Sequence, residues 1–216
     1  MNTRFNGDIN IAGAILAGGR ASRFEGRPKG LLRLPDGQTF IARLLAEMTD
    51  AGLDTVVISA NQNQPYADLG VPVIPDLRPS IGPLGGFEAV LKHYRETAGA
   101  VLFLPCDLPR LTRHEIQQLL ENFRHRPEGI LSAETTDGAG QPLCSVVPVA
   151  MLDQFSEAVR TGRFGMKKLW RELGASAVQF DRPDRFFNIN SQSDYDKLLA
   201  TISSLDPPGK TTRPPE

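Results

Sequence analysis

The 216-residue chain is poor in the side chains that most often hold transition metals: it has two cysteines and three histidines. Neither Cys106 nor Cys144 belongs to a CxxC pair, so the sequence contains no zinc-site motif. Two cysteines in a chain of this size do not require an oxidising compartment, and we expect both to be reduced thiols. We assign the scattered histidines no catalytic role.

The sequence also lacks a long apolar run and a strong net charge. The opening MNTRFNGDIN has no apolar stretch before Ile9, which argues against a signal peptide. No later run approaches the roughly 20 residues of a membrane span. The formal net charge is −1, whereas a general nucleic-acid binder usually has a strongly basic surface. We expect a soluble cytoplasmic monomer that binds neither nucleic acid nor membrane.

Apolar runs of strand length alternate with stretches of helical spacing. The strand-like runs are residues 11–17, 55–60, 71–75, 100–105, 129–134, 143–149 and 175–180. The helical stretches are residues 39–52, 83–96, 112–124 and 191–202. The alternation predicts an α/β fold, a three-layer sandwich with a mainly parallel, Rossmann-like sheet. We expect one domain over residues 9–203, a flexible N-terminus over 1–8 and a disordered, proline-rich tail over 204–216.

Polar residues and glycines follow the first four strand-like runs. They are Gly18 and Gly19, then Asn61, then Asp76, then Asp107. Ligands of open parallel sheets bind beyond the carboxyl ends of the strands, so the predicted topology gathers these residues along one edge.

The stretch LAGGRASRFEGRPKG, residues 16–30, is a glycine-rich loop with many cations. Its spacing matches neither GxGxxG nor GxxxxGK[ST], which argues against a dinucleotide fold and a Walker nucleotide site. Residues 20–33 hold five basic side chains and one acid, Glu25. Exposed backbone N–H groups beside such cations make an anion site, and a triphosphate would suit it. The alternative is a tight turn with solvated arginines.

The other strand-end residues also have two interpretations. Asp107 either holds Mg²⁺, which prefers oxygen ligands, or simply starts a turn. Asn61 and Asp76 are either ligand contacts or ordinary turn residues. Gly85 and Gly86 are costly in the first turn of a helix, so they indicate close approach to a ligand or tight packing on the sheet.

Several of these motifs together carry a resemblance to a known family. The loop LAGGRASRFEGRPKGLL resembles the signature loop of nucleotidyltransferases with a Rossmann-like sheet of the nucleotide-diphospho-sugar transferase type. With VVISAN, GPLGG, LPCDLP, QPLCSVVP and FFNINSQSDYDKL, in that order, the chain resembles the molybdenum cofactor guanylyltransferase family. The family usually has methionine at Phe24 and an acid at Pro28, and Pro28-Lys29 is similar to the sugar-nucleotide branch instead.

The resemblance implies an activity and a set of site residues. The activity is transfer of GMP from GTP to the terminal phosphate of molybdenum-molybdopterin, with release of pyrophosphate. Catalytic roles fall to Arg23, Lys29 and Asp107, and Asp107 is also the ligand of the Mg²⁺ cofactor. The nucleotide side comprises Leu16, Ala17, Gly18, Gly19, Lys29, Asn61, Asp76 and Asp107. The pterin side comprises Gly82, Pro83, Leu84, Asn188 and Asn190.

Partners and rival activities follow from the same resemblance. As partners we expect GTP and molybdenum-molybdopterin, with transient contact to molybdenum-insertion proteins or apo-molybdoenzymes. One alternative is a related transferase that uses CTP or acts on a sugar or alcohol phosphate. The other is a nucleotide-binding module without catalytic activity.

Overall fold

The computed structural model describes residues 9–18, 24, 27–62, 64–78 and 81–205 of the chain. Within them, seven strands form one sheet in the order β3-β2-β1-β4-β6-β5-β7. The strands are β1 Ile11–Leu16, β2 Val56–Ser59, β3 Val73–Ile74, β4 Ala100–Pro105, β5 Leu131–Thr135, β6 Gly140–Pro148 and β7 Ser176–Phe180. The expected α/β fold with a mainly parallel sheet is confirmed.

One strand runs against the rest. β6 pairs antiparallel with both β4 and β5, while the other neighbouring strands pair in parallel. Because β6 reverses direction between them, β4 and β5 point the same way. The carboxyl end of β5 therefore lies at the same edge of the sheet as the ends of β1, β2 and β4.

Six α-helices cover the sheet in the described ranges. They are α1 Phe40–Asp50, α2 Pro83–His93, α3 Arg113–His125, α4 Leu152–Arg160, α5 Met166–Glu172 and α6 Gln192–Leu205. The capping box expected at Thr112 and Glu115 is present at the start of α3. At the start of α6 the Ser191 and Asp194 side chains each accept a hydrogen bond from the other residue's backbone N–H. These caps satisfy backbone donors that a helix leaves unpaired.

The sequence patterns overlooked part of the helical layer. α4 and α5 were not among the predicted helices, and α6 continues through Leu205, two residues past the expected domain boundary. The expectations for residues 1–8 and 206–216 lie outside the described residues. No helix in the described ranges has a stretch both long and apolar enough to cross a bilayer.

The two overlooked helices complete one of the two large apolar cores. Phe87 on α2 stacks on Phe103 of β4 with 3.9 Å between ring centroids. Its ring also lies 5.8 Å from that of Phe155 on α4 and 5.4 Å from that of Trp170 on α5. One aromatic cluster thus joins the three helices to the sheet. These contacts hold α2 in position against β4.

Replacing Phe87 with alanine should lower the free energy of unfolding by about 3–5 kcal/mol, because it leaves a cavity among these rings. Guanidinium unfolding followed by tryptophan fluorescence measures the change. Phe164, whose side chain is 46% exposed, is the matched control. Its alanine variant should stay within about 0.5 kcal/mol of the parent. Equal effects of the two substitutions would contradict this view of the core.

Candidate functional site

The ends of three neighbouring strands lie level at one edge of the sheet. Leu16, the last residue of β1, pairs with Ser59 of β2 and with Pro105 of β4. Just beyond, Ala17 N–H donates to the Ser59 carbonyl over 2.9 Å, and Cys106 N–H donates to the Leu16 carbonyl over 3.1 Å. The loops that follow β1, β2 and β4 therefore start side by side.

Lys29 projects from the loop after β1 onto the loop after β4. Its Nζ lies 3.1 Å from Asp107 Oδ2 and donates to Asn190 Oδ1 over 2.7 Å. The two charged side chains are only 25% and 15% exposed, so water screens their attraction weakly. Pro28 precedes Lys29 with φ −59°, a value its ring sets by itself, and the chain then enters a 3₁₀ turn, Lys29–Leu31. The proline is thus compatible with the position that Lys29 takes.

The segment 187–190 completes this cluster from the far end of the chain. Ile189 N–H donates to the Asp107 carbonyl over 3.0 Å, and Asn188 Nδ2 donates to Asp107 Oδ1 over 3.1 Å. Ile189 is fully buried in a small core with Phe40. Alternation along this extended segment places the amides of Asn188 and Asn190 opposite that core. We call Lys29, Asp107, Asn188 and Asn190 the phosphate cluster.

A second polar pair lies beyond β2 and β3. Asn61 Nδ2 donates to Asp76 Oδ2 over 3.0 Å, and Asp76 N–H donates to Asn61 Oδ1 over 2.9 Å. The Asp76 carboxyl carbon would lie 3.2 Å from a Cβ added at Gly85, on α2. A Cβ at Gly86 would lie 2.5 Å from Ser59 Oγ. The two glycines therefore allow α2 to pack closely on the sheet and on Asp76, as the packing interpretation requires.

The start of α2 lies with this second pair. Gly82 has φ 72°, a left-handed value that favours glycine, and Pro83 opens the helix. Leu84 is fully buried, so its side chain is part of the core and only its main chain remains for a ligand.

A cavity of about 550 Å³ adjoins the phosphate cluster on its other side. Asn188 and Asn190 line it, together with Phe187 and with Asp137 of the β5–β6 hairpin, whereas Gly82, Pro83 and Leu84 do not. The Thr135 hydroxyl and the Ala139 N–H hydrogen-bond to Asp137 and lower the pKa of its carboxyl. Asp184 and Asp194 line it as well, and Asp194 accepts a hydrogen bond from the Asn190 N–H over 3.1 Å, so a carboxylate also lies beside Asn190.

The expected nucleotide residues are only partly described. Leu16 ends β1, and Ala17 and Gly18 follow it. Among the described residues, the nearest atom to a Cβ added at Gly18 is the Ser59 carbonyl oxygen, 3.9 Å away. Gly19 and Arg23 lie outside the described residues. In the described part of the chain no group of three or more His, Cys, Asp or Glu side chains could hold a metal ion.

The chain matches the model of the MobA-like NTP transferase domain over residues 13–178, more than half of its length. The chain belongs to this family. It is 33% identical to a molybdenum cofactor guanylyltransferase of Yersinia pestis over 193 residues, which are 87% of this chain and 94% of that protein. This MobA-like transferase is therefore a nucleotidyltransferase connected with molybdenum cofactor biosynthesis.

Solved structures share the fold of this MobA-like transferase at low identity. Molybdopterin-guanine dinucleotide biosynthesis protein A from Archaeoglobus fulgidus superposes with a TM-score of 0.73 at 20% identity, over 89% of this chain and 99% of that one. A CMP:2-keto-3-deoxy-manno-octonic acid synthetase complexed with CTP gives 0.69 at 13% identity, over 91% and 99% of the two chains. These similarities show the nucleotidyltransferase fold alone.

The structure also adds residues that the sequence patterns did not single out in the MobA-like transferase. Phe187, which is 38% exposed, and Asp137 both line the cavity. A signal existed for each: Phe187 is the first residue of the FNIN motif, and Asp137-Gly138 is a typical hairpin turn. Neither signal shows that the hairpin and the FNIN motif share one cavity.

Cys106 of the MobA-like transferase precedes Asp107 but is buried. Burial, and next the neighbouring Asp107 carboxylate, raise the pKa of the Cys106 thiol to about 12. Burial also raises the pKa of Cys144. Since the thiolate is the reactive form, both thiols should be inert in the folded protein, in line with the small buried residue expected at Cys106.

At pH 8 the folded protein should not react with a disulfide-forming thiol reagent such as dithionitrobenzoate, whereas both thiols should react in guanidinium. The released thiolate absorbance counts the reacted cysteines. Cys106→Ala and Cys144→Ala, each with one remaining thiol, assign any residual reaction. Rapid reaction of Cys106 in the folded protein would show that its thiol is open to solvent beside Asp107.

Proposed function

We propose that the protein transfers GMP from GTP to the terminal phosphate of molybdenum-molybdopterin and releases pyrophosphate. The phosphate cluster is the observation on which the proposal rests. In it Lys29 contacts Asp107, which is 78 positions later in the sequence, and Asn190, which is 161 positions later, so that an ammonium group and a carboxylate meet at one place. The names of the relatives support the same activity.

The nucleotide is proposed to lie across the ends of β1, β2 and β4. The main chain of Leu16, Ala17 and Gly18 and the ammonium of Lys29 would bind the triphosphate, since N–H groups and cations favour phosphate oxygens. The Asn61–Asp76 pair would contact the nucleoside. Gly19 and Arg23 join this set from the sequence motif.

The acceptor is proposed to occupy the adjoining cavity. Its terminal phosphate would face Lys29 and Asn190, where the cation lies. Its pterin would lie between Phe187 and Asp137, because an ionised carboxylate accepts hydrogen bonds from ring N–H groups and an aromatic side chain stacks on a flat ring. The Lys29 ammonium, which donates to Asn190 at the edge of the cavity, would draw the phosphate of the acceptor toward the nucleotide.

The reaction then needs positioning and charge neutralisation. An oxygen of the acceptor's terminal phosphate attacks the α-phosphorus of GTP, a new P–O bond forms, and the α–β bridging bond breaks with its electron pair leaving on pyrophosphate. The attacking oxygen is already ionised, so no general base is required. Lys29 would stabilise the charge that builds up on the phosphates.

A divalent cation fits the donor set of the phosphate cluster. Asp107 offers a single carboxylate and Asn190 offers an amide oxygen, and Mg²⁺ commonly takes one or two carboxylates and completes its shell with water and phosphate oxygens. When bound, Mg²⁺ supplies Lewis-acid stabilisation of the phosphate oxygens. Asn188 would hold Asp107 in place, and Lys29, released from Asp107 Oδ2, would turn its charge to the phosphates.

Asp107→Asn should lower kcat/KM for pyrophosphate release by about 10²–10³-fold, because it removes the only charged ligand in the cluster while keeping its shape. Asp153→Asn, on the exposed side of α4, is the matched control and should behave like the parent. Pyrophosphate release is measured with molybdopterin cofactor, GTP and Mg²⁺. Normal turnover by Asp107→Asn would remove Asp107 from the metal site.

Lys29→Ala should weaken GTP binding about tenfold or more, because the substitution removes a partly buried cation that would contact the phosphates. Isothermal titration of GTP with Mg²⁺ measures the dissociation constant, with Lys92→Ala as the control. An unchanged affinity would exclude Lys29 from the phosphate site.

GTP should raise the melting temperature more than CTP, ATP or UTP at equal concentration with Mg²⁺, since a bound ligand stabilises the folded state in proportion to its occupancy. Pyrophosphate release with each nucleotide in turn gives the corresponding catalytic preference. A preference for CTP in both measurements would instead favour a cytidylyltransferase.

A further inference from the structure

The segment that follows β3 runs along one face of α2. At its start, the Asp76 carboxyl group packs on Gly85. Two residues later, Arg78 Nη2 lies 3.7 Å from Glu88 Oε1. Gly85 and Glu88 are three positions apart on the helix, so they occupy successive turns of the same face. Residues 76–78 therefore run along α2, away from the sheet edge at which β1, β2 and β4 end.

Glu88 is an unusual residue for the place it occupies. Its side chain is only 3% exposed, and a buried carboxylate is costly unless it is paired. In the described part of the chain its Oε2 has no hydrogen-bond partner. The 3.7 Å separation between Arg78 and Oε1 is too long for a hydrogen bond. The carboxylate is thus held by charge attraction to Arg78.

Other cations lie near Glu88 without replacing Arg78. Lys92 and Arg95 line the same cavity of about 480 Å³ as Glu88 and Arg78. Arg95 is 70% exposed and lies 3.7 Å from Glu96. Among the described residues, Arg78 is the one cation with an ion-pair distance to Glu88.

Asp76 has little else to keep it in place. Its two hydrogen bonds with Asn61 are exposed to solvent, where water competes for both partners. Pro75 precedes it and cannot donate a backbone hydrogen bond, and β3 is only two residues long. The position of Asp76 therefore depends on what holds the residues after it.

We propose that Glu88 is a positioning residue for the nucleotide site, acting through Arg78. The buried carboxylate attracts the guanidinium group and holds residues 76–78 against α2, which keeps Asp76 beside Asn61 and Gly85. The consequence for nucleotide affinity rests on the proposed function, in which the Asn61–Asp76 pair contacts the nucleoside. The consequence for the position of Asp76 does not.

Hydrogen exchange at the Asp76 amide measures whether Asp76 stays beside Asn61. Its N–H donates to Asn61 Oδ1 and exchanges with solvent only when that contact opens. Amide hydrogen exchange is measured by NMR on the free protein, for the parent and for Glu88→Gln, Arg78→Met, the double variant and Arg95→Met. Arg78 is 47% exposed, so its replacement should not endanger folding, and Arg95→Met is the matched control.

Glu88→Gln and Arg78→Met should each speed exchange of the Asp76 amide about five- to tenfold, and the double variant should be no faster than either, because both remove the same interaction. Arg78→Lys, which keeps the charge, should restore part of the protection, and Arg95→Met should match the parent. Parental exchange in Arg78→Met, or strictly additive effects, would overturn the proposal.

Nucleotide measurements separate this inference from the proposed function. Arg78→Met should raise the dissociation constant and KM for GTP about fivefold while kcat at saturation stays within about twofold, as expected for a loss of binding alone. If the parent protein binds no GTP, the proposed function fails while amide exchange still decides the role of Glu88. If exchange rises but GTP affinity does not change, Glu88 has no role in the nucleotide site and the proposal is wrong.

Discussion

The parallel pairing of β1 with β2 and β4 is the constraint on which the rest of the site depends. It brings Leu16, Ser59 and Pro105 level, so that three loops leave the sheet at one height. Asp107 follows the end of β4 by two residues, and Lys29, 78 positions away in sequence, contacts it from the segment that follows β1. A shift of either strand by one residue would turn its buried side chains to the other face of the sheet, so the core itself fixes this register.

The two sides of the site are held by different means. Asp107 is fixed by direct hydrogen bonds from Asn188 and Ile189, backed by a small core that Ile189 enters. Asp76 instead lies on an exposed connection and depends on packing against α2. The Asp107 side thus has a buried core behind it, whereas the hydrogen bonds between Asp76 and Asn61 are exposed to solvent.

The sequence was a good guide where local chemistry decides the structure. Short apolar runs predicted the strands, and the Thr112–Glu115 pattern predicted the start of α3. The contact of Asn188 with Asp107 spans 81 positions and is set by tertiary packing, so local patterns could place both residues but not their partnership. Glu88 is a further case, because a glutamate on a helix is ordinarily solvent-facing, and its burial is set by tertiary packing that the local sequence does not show.

The reversed strand β6 separates two parts of the same sheet edge. β1, β2 and β4 form a parallel unit followed by the segments that carry Lys29, Asn61 and Asp107, while the β5–β6 hairpin reaches the same edge without a crossover helix. Both ends of the hairpin are anchored in the ladder, so residues 136–139 can change in length or composition without disturbing the register of β1 and β4. In the proposed function, the hairpin that lines the acceptor cavity could therefore change without altering the residues that bind the triphosphate.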